Sequence, residues 1–303
     1  MLRAAGGDAV IRFAEEVQAA LRDGSGVVAL ETTLVAHGFP SDEGVEVGLE
    51  SERGVRDGGS VPATIGILDG EVVVGLTADE LARFDASARK IGPRDVAAGI
   101  VQGAVGATTV GGTLAVCRIA GIRFMGTGGL GGVHRGWPSP PDVSADLGQL
   151  ARTPALVVSS GVKSLLDVPA TAEALETLGV PVLGWRTDEL PLFYTARGGP
   201  PVSARVETAE EAARVAAAHW ALGGGGVVLA RPPDESLDDV EPLIGRALAA
   251  ADATGVRGGA VTPFVLSFLH RESGGRTLRA NRELVVGNAR LAGAVAAAST
   301  AVE

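Results

Sequence analysis

Short, continuously apolar runs set between longer amphipathic stretches constrain this chain more than any other feature of its sequence. Val27–Leu30, Ile122–Met125, Ala155–Val158, Val180–Leu183 and Val227–Leu229 are the runs. A strand with one wet face alternates apolar and polar residues, whereas a strand apolar throughout is covered on both faces, as in a parallel sheet between helices. Pro181 weakens one assignment, because proline fits best at a strand's start or on an edge. Helical spacing predicts helices near 8–22, 43–56, 78–88, 108–120, 168–178, 207–222 and 239–253, with two more near 262–273 and 277–298. Asp69-Gly70, between the β-rich segments Thr64–Leu68 and Val72–Gly75, predicts a tight hairpin. The expected fold class is α/β: three α/β/α layers around a mixed, mostly parallel central sheet, with a small β-hairpin excursion. No internal repeat stands out, and the Gly/Pro-rich segments Gly198–Pro201 and Gly223–Gly226 are too short for linkers, so a single domain over 1–303 is expected.

Composition narrows the function classes. A net charge of −10 leaves the chain without the clustered cations by which nucleic-acid binders neutralise phosphates. A small anionic ligand is still compatible, since one local cationic pocket suffices. Cys117 is the sole cysteine and ends the apolar run Leu114–Cys117, which reads as a buried structural thiol. Charges interrupt the N-terminal MLRAAGGDAVIRFAEEVQ, so no apolar signal-peptide core is expected there. No uncharged stretch matches the ~20 apolar residues of a membrane span. No membrane partner is expected, and the cytoplasm is the expected compartment.

Gly126, Gly128 and Gly131 satisfy G-x-G-x-x-G directly after a strand, which is half of a dinucleotide-binding fingerprint. The other half is a helix opening at the third glycine to face a pyrophosphate. Here Gly132-Val133-His134-Arg135-Gly136-Trp137 runs into Pro138, Pro140 and Pro141, which argue against a helix. The glycines are better read as letting a loop's backbone approach a ligand.

Lys90 and Lys163 are the only lysines; every other fixed cation is an arginine. Arginine replaces lysine wherever only charge is needed, but it stays protonated and cannot attack carbon, whereas a lysine amine can be tuned to do so. Two lysines could also survive by chance. Placement favours chemistry for Lys163, which follows the Ala155–Val158 strand and the Ser159-Ser160-Gly161 turn, on the edge where open α/β sheets carry their ligands. Lys90 is expected in a loop after a helix, before Gly92-Pro93. If the two ammonium groups meet, repulsion depresses the pKa of one, a recognised way to arm a Schiff-base lysine.

Other polar residues could complete a site. Glu31 ends the first central strand, just before Thr32, Thr33 and His37, and is an acid/base candidate if it is not a surface loop carboxylate. His134 and Arg135 occupy the Gly-rich loop. In Asp142-Val143-Ser144-Ala145-Asp146, Ser144 reads as a helix cap with Asp146 near the positive end of the dipole. The same carboxylates also suit a hard, water-rich Mg²⁺ or Mn²⁺ site, and the two readings are compatible. Thr108-Thr109 could present hydroxyls to a phosphate, though threonine caps helices routinely.

These motifs fall in a series: ALETTLVAHGFP (29–40), VPATIGILDGEVVVGLT (61–77), ATTVGGTLAVCRIAGIRFMGTGGLGGVHRG (107–136), DVSADLGQLARTP (142–154), GVKSLLD (161–167), GVPVLGWRTDELPLFYT (179–195), TPFVLSFLHRESGGRTLRAN (262–281) and NARLAG (288–293). In order and nearly end to end, they resemble the pseudouridine-5′-phosphate glycosidases, or indigoidine-synthase-A-like proteins. The resemblance implies reversible cleavage of pseudouridine 5′-phosphate to uracil and ribose 5-phosphate. It implies Lys163 as covalent nucleophile, Glu31 as proton donor, Lys90 as a substrate contact and Asp142 as the metal-binding carboxylate. Val110 and Ser144, Ala145 and Asp146 match substrate-contact positions, and Thr127, His134 and Asn281 match further polar sites of the pocket. Mn²⁺ and a homotrimer are likewise implied. Two departures stand out: the family's Lys-x-Ser-Arg-Arg-Asp is Lys90-Ile91-Gly92-Pro93-Arg94-Asp95 here, and its ALEST is Ala29-Leu30-Glu31-Thr32-Thr33. Lysine, carboxylate and metal would equally serve a Schiff-base lyase or aldolase on another phosphosugar. A non-catalytic ribonucleotide-binding protein would have no use for an intact Lys163 and Glu31.

Overall fold

The computed structural model describes residues 11–136 and 142–300. The first third comprises β1 (Ile11–Phe13), α1 (Glu15–Arg22), β2 (Val27–Glu31), α2 (Thr33–His37), α3 (Ser41–Asp57), β3 (Val61–Leu68), β4 (Glu71–Val74), α4 (Ala78–Leu81) and β5 (Arg89–Ile91). The middle adds α5 (Val96–Val101), β6 (Gly106–Thr108), α6 (Val110–Ala120), β7 (Phe124–Gly126), α7 (Ala145–Leu150), β8 (Leu156–Ser159), α8 (Val168–Thr177) and β9 (Val182–Trp185). The chain continues through β10 (Ala204–Val206), α9 (Ala209–Ala221), β11 (Val227–Ala230), α10 (Glu241–Ala253), α11 (Val261–Glu272) and α12 (Arg276–Ser299).

The strands form one sheet in the order β1-β4-β3-β2-β7-β8-β11-β9-β10, with β6 on β3 and β5 on β6. Among the described strands, only the β3–β4 and β3–β6 pairings are antiparallel. The expected mixed, mostly parallel sheet with its hairpin is therefore observed, and Asp69 and Gly70 take the left-handed conformations that such a tight turn demands. Buried side chains alternate between two cores. Val27, Ala29 and Val157 face one, with Val17 of α1, Leu114 of α6 and Leu150 of α7; Val28, Leu30, Leu156 and Val158 face the other, with Ala213 of α9 and Ala292 of α12. Two covered faces explain why the central strands read as unbroken apolar runs. Cys117 is buried on α6, and burial pushes its thiol up to about 12.

Several local expectations are corrected. Residues 11–13 of the helix expected over 8–22 form β1 instead, in parallel ladder with β4; residues 8–10 lie outside the described chain. The helix expected over 78–88 ends at Leu81 after a Thr77/Glu80 capping box. Beyond it, Asp85 accepts from the Ser87 N–H and hydroxyl, a local turn that competes with helix. Lys90 consequently sits on β5, paired with Ala107 of β6, and not in a loop. Thr108 ends β6, so α6 begins two residues later than expected. Pro181 precedes β9, which starts at Val182. No helix opens at Gly131: the loop after β7 instead makes isolated bridges such as Leu130 to Val162 and His134 to Leu166. Trp137, Pro138, Pro140 and Pro141 lie outside the described residues.

Candidate active site

Parallel strands end on a common edge, and the central neighbours β2, β7 and β8 end at Glu31, Gly126 and Ser159. Residues just beyond those ends line a cavity of about 1030 Å³ together with β5, the start of α7 and segments of α11 and α12. Lys163, Glu31, Thr127, Lys90, His134, Asp142, Ser144, Ala145, Asp146 and Asn281 all line it. Val110 is buried in the core at the start of α6 and lies outside the lining, to which Thr109 contributes. Arg135 points away: its guanidinium pairs with Glu241 at 2.8 Å and donates to the Ser164 carbonyl at 2.9 Å, bracing the Lys163 segment from outside.

Glu31 is only 7% exposed, yet it has no cation within ion-pairing distance among the described residues. Two hydroxyls serve its carboxylate instead, Thr127 on one oxygen and Thr33 on the other. Beneath it, Thr32 donates to the Ile65 carbonyl at 2.8 Å and accepts from the Thr108 N–H at 2.9 Å. The Thr108 hydroxyl is spent inside on Ile65 at 2.7 Å, and Thr109 accepts from Gly112 N–H as the cap of α6. The Thr108 hydroxyl is thus turned away from the cleft, whereas Thr109 lines it with its hydroxyl proton still free to donate.

The nucleophile candidate is held by backbone. Lys163 N–H donates to the Leu130 carbonyl at 3.1 Å, and Leu130 N–H to Gly161 at 3.0 Å, joining the loops after β7 and β8. Gly161 adopts φ +77 against the Pro191 carbonyl, a position that leaves no room for a side chain. Phe193, itself at φ +66, packs its ring over Gly129 beside the Lys163 stem.

Ser144 caps α7 as its sequence indicated, accepting from Asp146 N–H at 3.2 Å. The buried Asp146 does more than favour a dipole. Its carboxylate accepts from Gly111 N–H at 2.8 Å and Gly131 N–H at 3.0 Å, tying α6 to the glycine loop. A side chain at Gly131 would collide with Ser144 and Asp146, which explains that glycine without any nucleotide.

The two lysines do meet electrostatically. Burial, then repulsion from Lys163, lowers the Lys90 pKa, partly countered by Asp146, Glu31 and Asp142. Lys90 is exposed on the open lip of the cleft. His134 is lowered by burial as well, against the pull of Asp142, whose carboxylate lies 3.7 Å from its Nδ1. Among the described residues no three His, Cys, Asp or Glu side chains cluster as a metal cage. Asp142, with 40% of its side chain exposed, fits only a hard cation that keeps most of its water shell.

Sequence reasoning passed over Asn288, which reaches from α12 into this edge, and gave Thr33 and Ser160 no task. A signal existed for Asn288. It repeats Asn281 seven residues on, along a helix stripe otherwise filled by Leu284, Val285, Leu291 and Ala292.

A buried carboxylate at the end of β2 and a lysine just beyond β8, on either side of β7 and sharing a polar cleft walled by a glycine-rich loop, define an α/β enzyme. The family model for indigoidine synthase A like protein matches residues 16–298, and the chain belongs to that family. It is 49% identical to a pseudouridine-5′-phosphate glycosidase of Herpetosiphon aurantiacus over 293 residues, 94% of this chain and 97% of that protein. A Deinococcus radiodurans protein of the same name is 47% identical, over 93% and 92% of the two chains. The crystal structure of the prealnumycin C-glycosynthase AlnA in complex with ribulose 5-phosphate superposes with a TM-score of 0.88 at 43% identity, covering 97% of this chain and 98% of that one. An indigoidine synthase A-like protein from Thermotoga maritima gives 0.86 at 36% identity, covering 98% of each. No helix among the described residues is long and apolar enough to cross a membrane.

Proposed function

We propose that this enzyme is a pseudouridine-5′-phosphate glycosidase, reversibly cleaving the C–C bond between uracil and ribose 5-phosphate through a lysine imine. The observation that carries this reading is the meeting of Lys163 with Glu31 and Thr127 on the ends of three adjoining strands around one cleft. An O- or N-glycosidase protonates a leaving heteroatom, commonly between paired carboxylates. A carbon-linked base has none, so a covalent electron sink at the sugar carbon answers the difficulty. The neutral Lys163 amine bonds to C1′ as the C1′–O4′ bond opens, and the proton it sheds passes to O4′, which becomes a hydroxyl. Glu31 then passes a proton to C5 of the base while the C1′–C5 bond breaks. The nitrogen lone pair completes an imine, water hydrolyses it, and ribose 5-phosphate leaves. Lys90 on the cleft lip would supply positive charge to the phosphate.

Asp142 would hold a Mn²⁺ ion through one carboxylate and its water shell, and the charge of that ion would help neutralise phosphate. The reading extends to a homotrimer in the cytoplasm, both drawn from the family resemblance.

The test follows loss of pseudouridine 5′-phosphate by ultraviolet absorbance and release of ribose 5-phosphate, with borohydride trapping by the latter. Turnover and an adduct on Lys163 are expected; an adduct only on Lys90, or none, would remove the nucleophile. Thorough chelation should abolish most activity and Mn²⁺ restore it; full activity after chelation would leave Asp142 a loop carboxylate. The likeness to a C-glycosynthase favours a second reading, bond formation between a pentose phosphate and another carbon acceptor. Trapping of Lys163 without cleavage of pseudouridine 5′-phosphate would select it.

A further inference from the structure

We infer that Asn288 is a positioning residue that aims the Glu31 proton through Thr127; this rests on the reading above. Asn288 is fully buried on α12. Its Nδ2 directs its two protons to the Thr127 carbonyl at 2.8 Å and the Ser160 hydroxyl at 3.1 Å, with the Gly128 carbonyl sharing the first at 3.3 Å. Two carbonyls on one side of the amide fix which end is nitrogen, since a flipped Oδ1 would face them with no proton to share. One amide thus spans the loops after β7 and β8, and Ser160 N–H to Gly128 O at 2.8 Å closes the same junction. The pinned residue, Thr127, is the one whose hydroxyl serves Glu31. Its own N–H is fixed by the Val158 carbonyl at 3.0 Å, so the carbonyl end is held by Asn288. Removing that hold leaves a buried carbonyl unpaired and lets the peptide turn, carrying the hydroxyl off the carboxylate.

The chain from Asn288 to the reacting atoms is side chain, backbone, hydroxyl, carboxylate, and Lys90, to which the phosphate is assigned above, is not one of its links. The proposal therefore separates turnover from binding. Asn288→Ala should lower kcat about 30-fold or more and leave KM for pseudouridine 5′-phosphate within about 3-fold, the size of effect that misorienting one acid/base group produces. Asn288→Asp keeps the volume while replacing the donor, so it should do the same even if the alanine variant folds poorly. Thr127→Val should lower kcat similarly, and the double variant should be no worse than the poorer single, because both act on one carboxylate. Additive losses, or a raised KM with normal kcat, would overturn the assignment. A crystal structure of Asn288→Asp gives a readout independent of turnover: the Thr127 hydroxyl is expected beyond hydrogen-bond distance of Glu31. Finding it still in place would overturn the proposal whether or not the wild-type enzyme cleaves pseudouridine 5′-phosphate. A displaced hydroxyl in an enzyme inert toward that substrate would sustain the positioning role and sink only the functional reading.

Discussion

Buried polar groups in this molecule receive two opposite treatments. Beneath the carboxyl edge of β2, β7 and β8, Glu31, Thr32, Thr127, Ser160 and Asn288 all have partners, and the hydrogen bonds run from strand to strand and out to α12. By contrast, the Tyr194 hydroxyl and the Nε2 atoms of His219 and His270 are buried with no hydrogen-bond partner among the described residues. Tyr194 is fully buried beside Phe193, and burial alone pushes its phenol upward. A fully satisfied polar network holds one geometry, whereas an orphaned polar atom only subtracts from stability. The enzyme has spent its pairing where orientation matters.

That contrast is sharpest at Glu31. Glu31→Gln keeps shape and hydrogen-bonding capacity but removes a transferable proton, and should lower kcat by ~10²–10⁴ with little change in thermal midpoint. Near-normal turnover, measured by the absorbance assay, would make the hydroxyl-lined carboxylate structural. Lys90 comes next. Lys90→Ala should raise KM by roughly tenfold to a hundredfold, the worth of a charge-assisted contact at ~1.5–3 kcal/mol, and leave kcat less affected. Its lowered pKa gives a sign: as pH rises, the ammonium is lost earlier than an ordinary lysine's would be, so KM should climb on the alkaline side first. A KM that is flat with pH would make Lys90 a bystander.

The smallest effects belong to the orphans. His270 has its pKa lowered by burial from 6.5 to about 4, so the unfolded chain takes up a proton before the folded one as pH falls. Stability should therefore decline between those values and level off below, by about 1–3 kcal/mol. His270→Leu should abolish that part of the pH dependence of the thermal midpoint while leaving kcat untouched. An unchanged pH profile of stability would mean that the ring is solvated.

The same division explains what could be read in advance. Val27–Leu30 and Ala155–Val158 were legible because both faces of those strands are covered, which leaves an unbroken apolar signature. Lys163 was legible from rarity and from its place after such a strand. β1, β5, β6 and β10 span three residues each, too few for any period to register, and Gly92-Pro93 after Lys90 reads as a loop. Asn288 acquires its partners only in the fold, whereas Thr33 bonds Glu31 two residues away. The Asn288 bond to Thr127 crosses 161 residues of sequence, and no local pattern carries that distance.

The same 161 residues have a consequence during synthesis. Glu31, Thr127 and Lys163 leave the ribosome well before Asn288 does, and α12 packs against β2, β7 and β8 as well as α3 and α9. A nascent chain can pair its early strands, but the β7 and β8 loops lack their common pin until α12 arrives. The last helix described therefore completes the junction between the β7 and β8 loops, and the acid/base geometry at Glu31 is finished only when the chain is nearly whole.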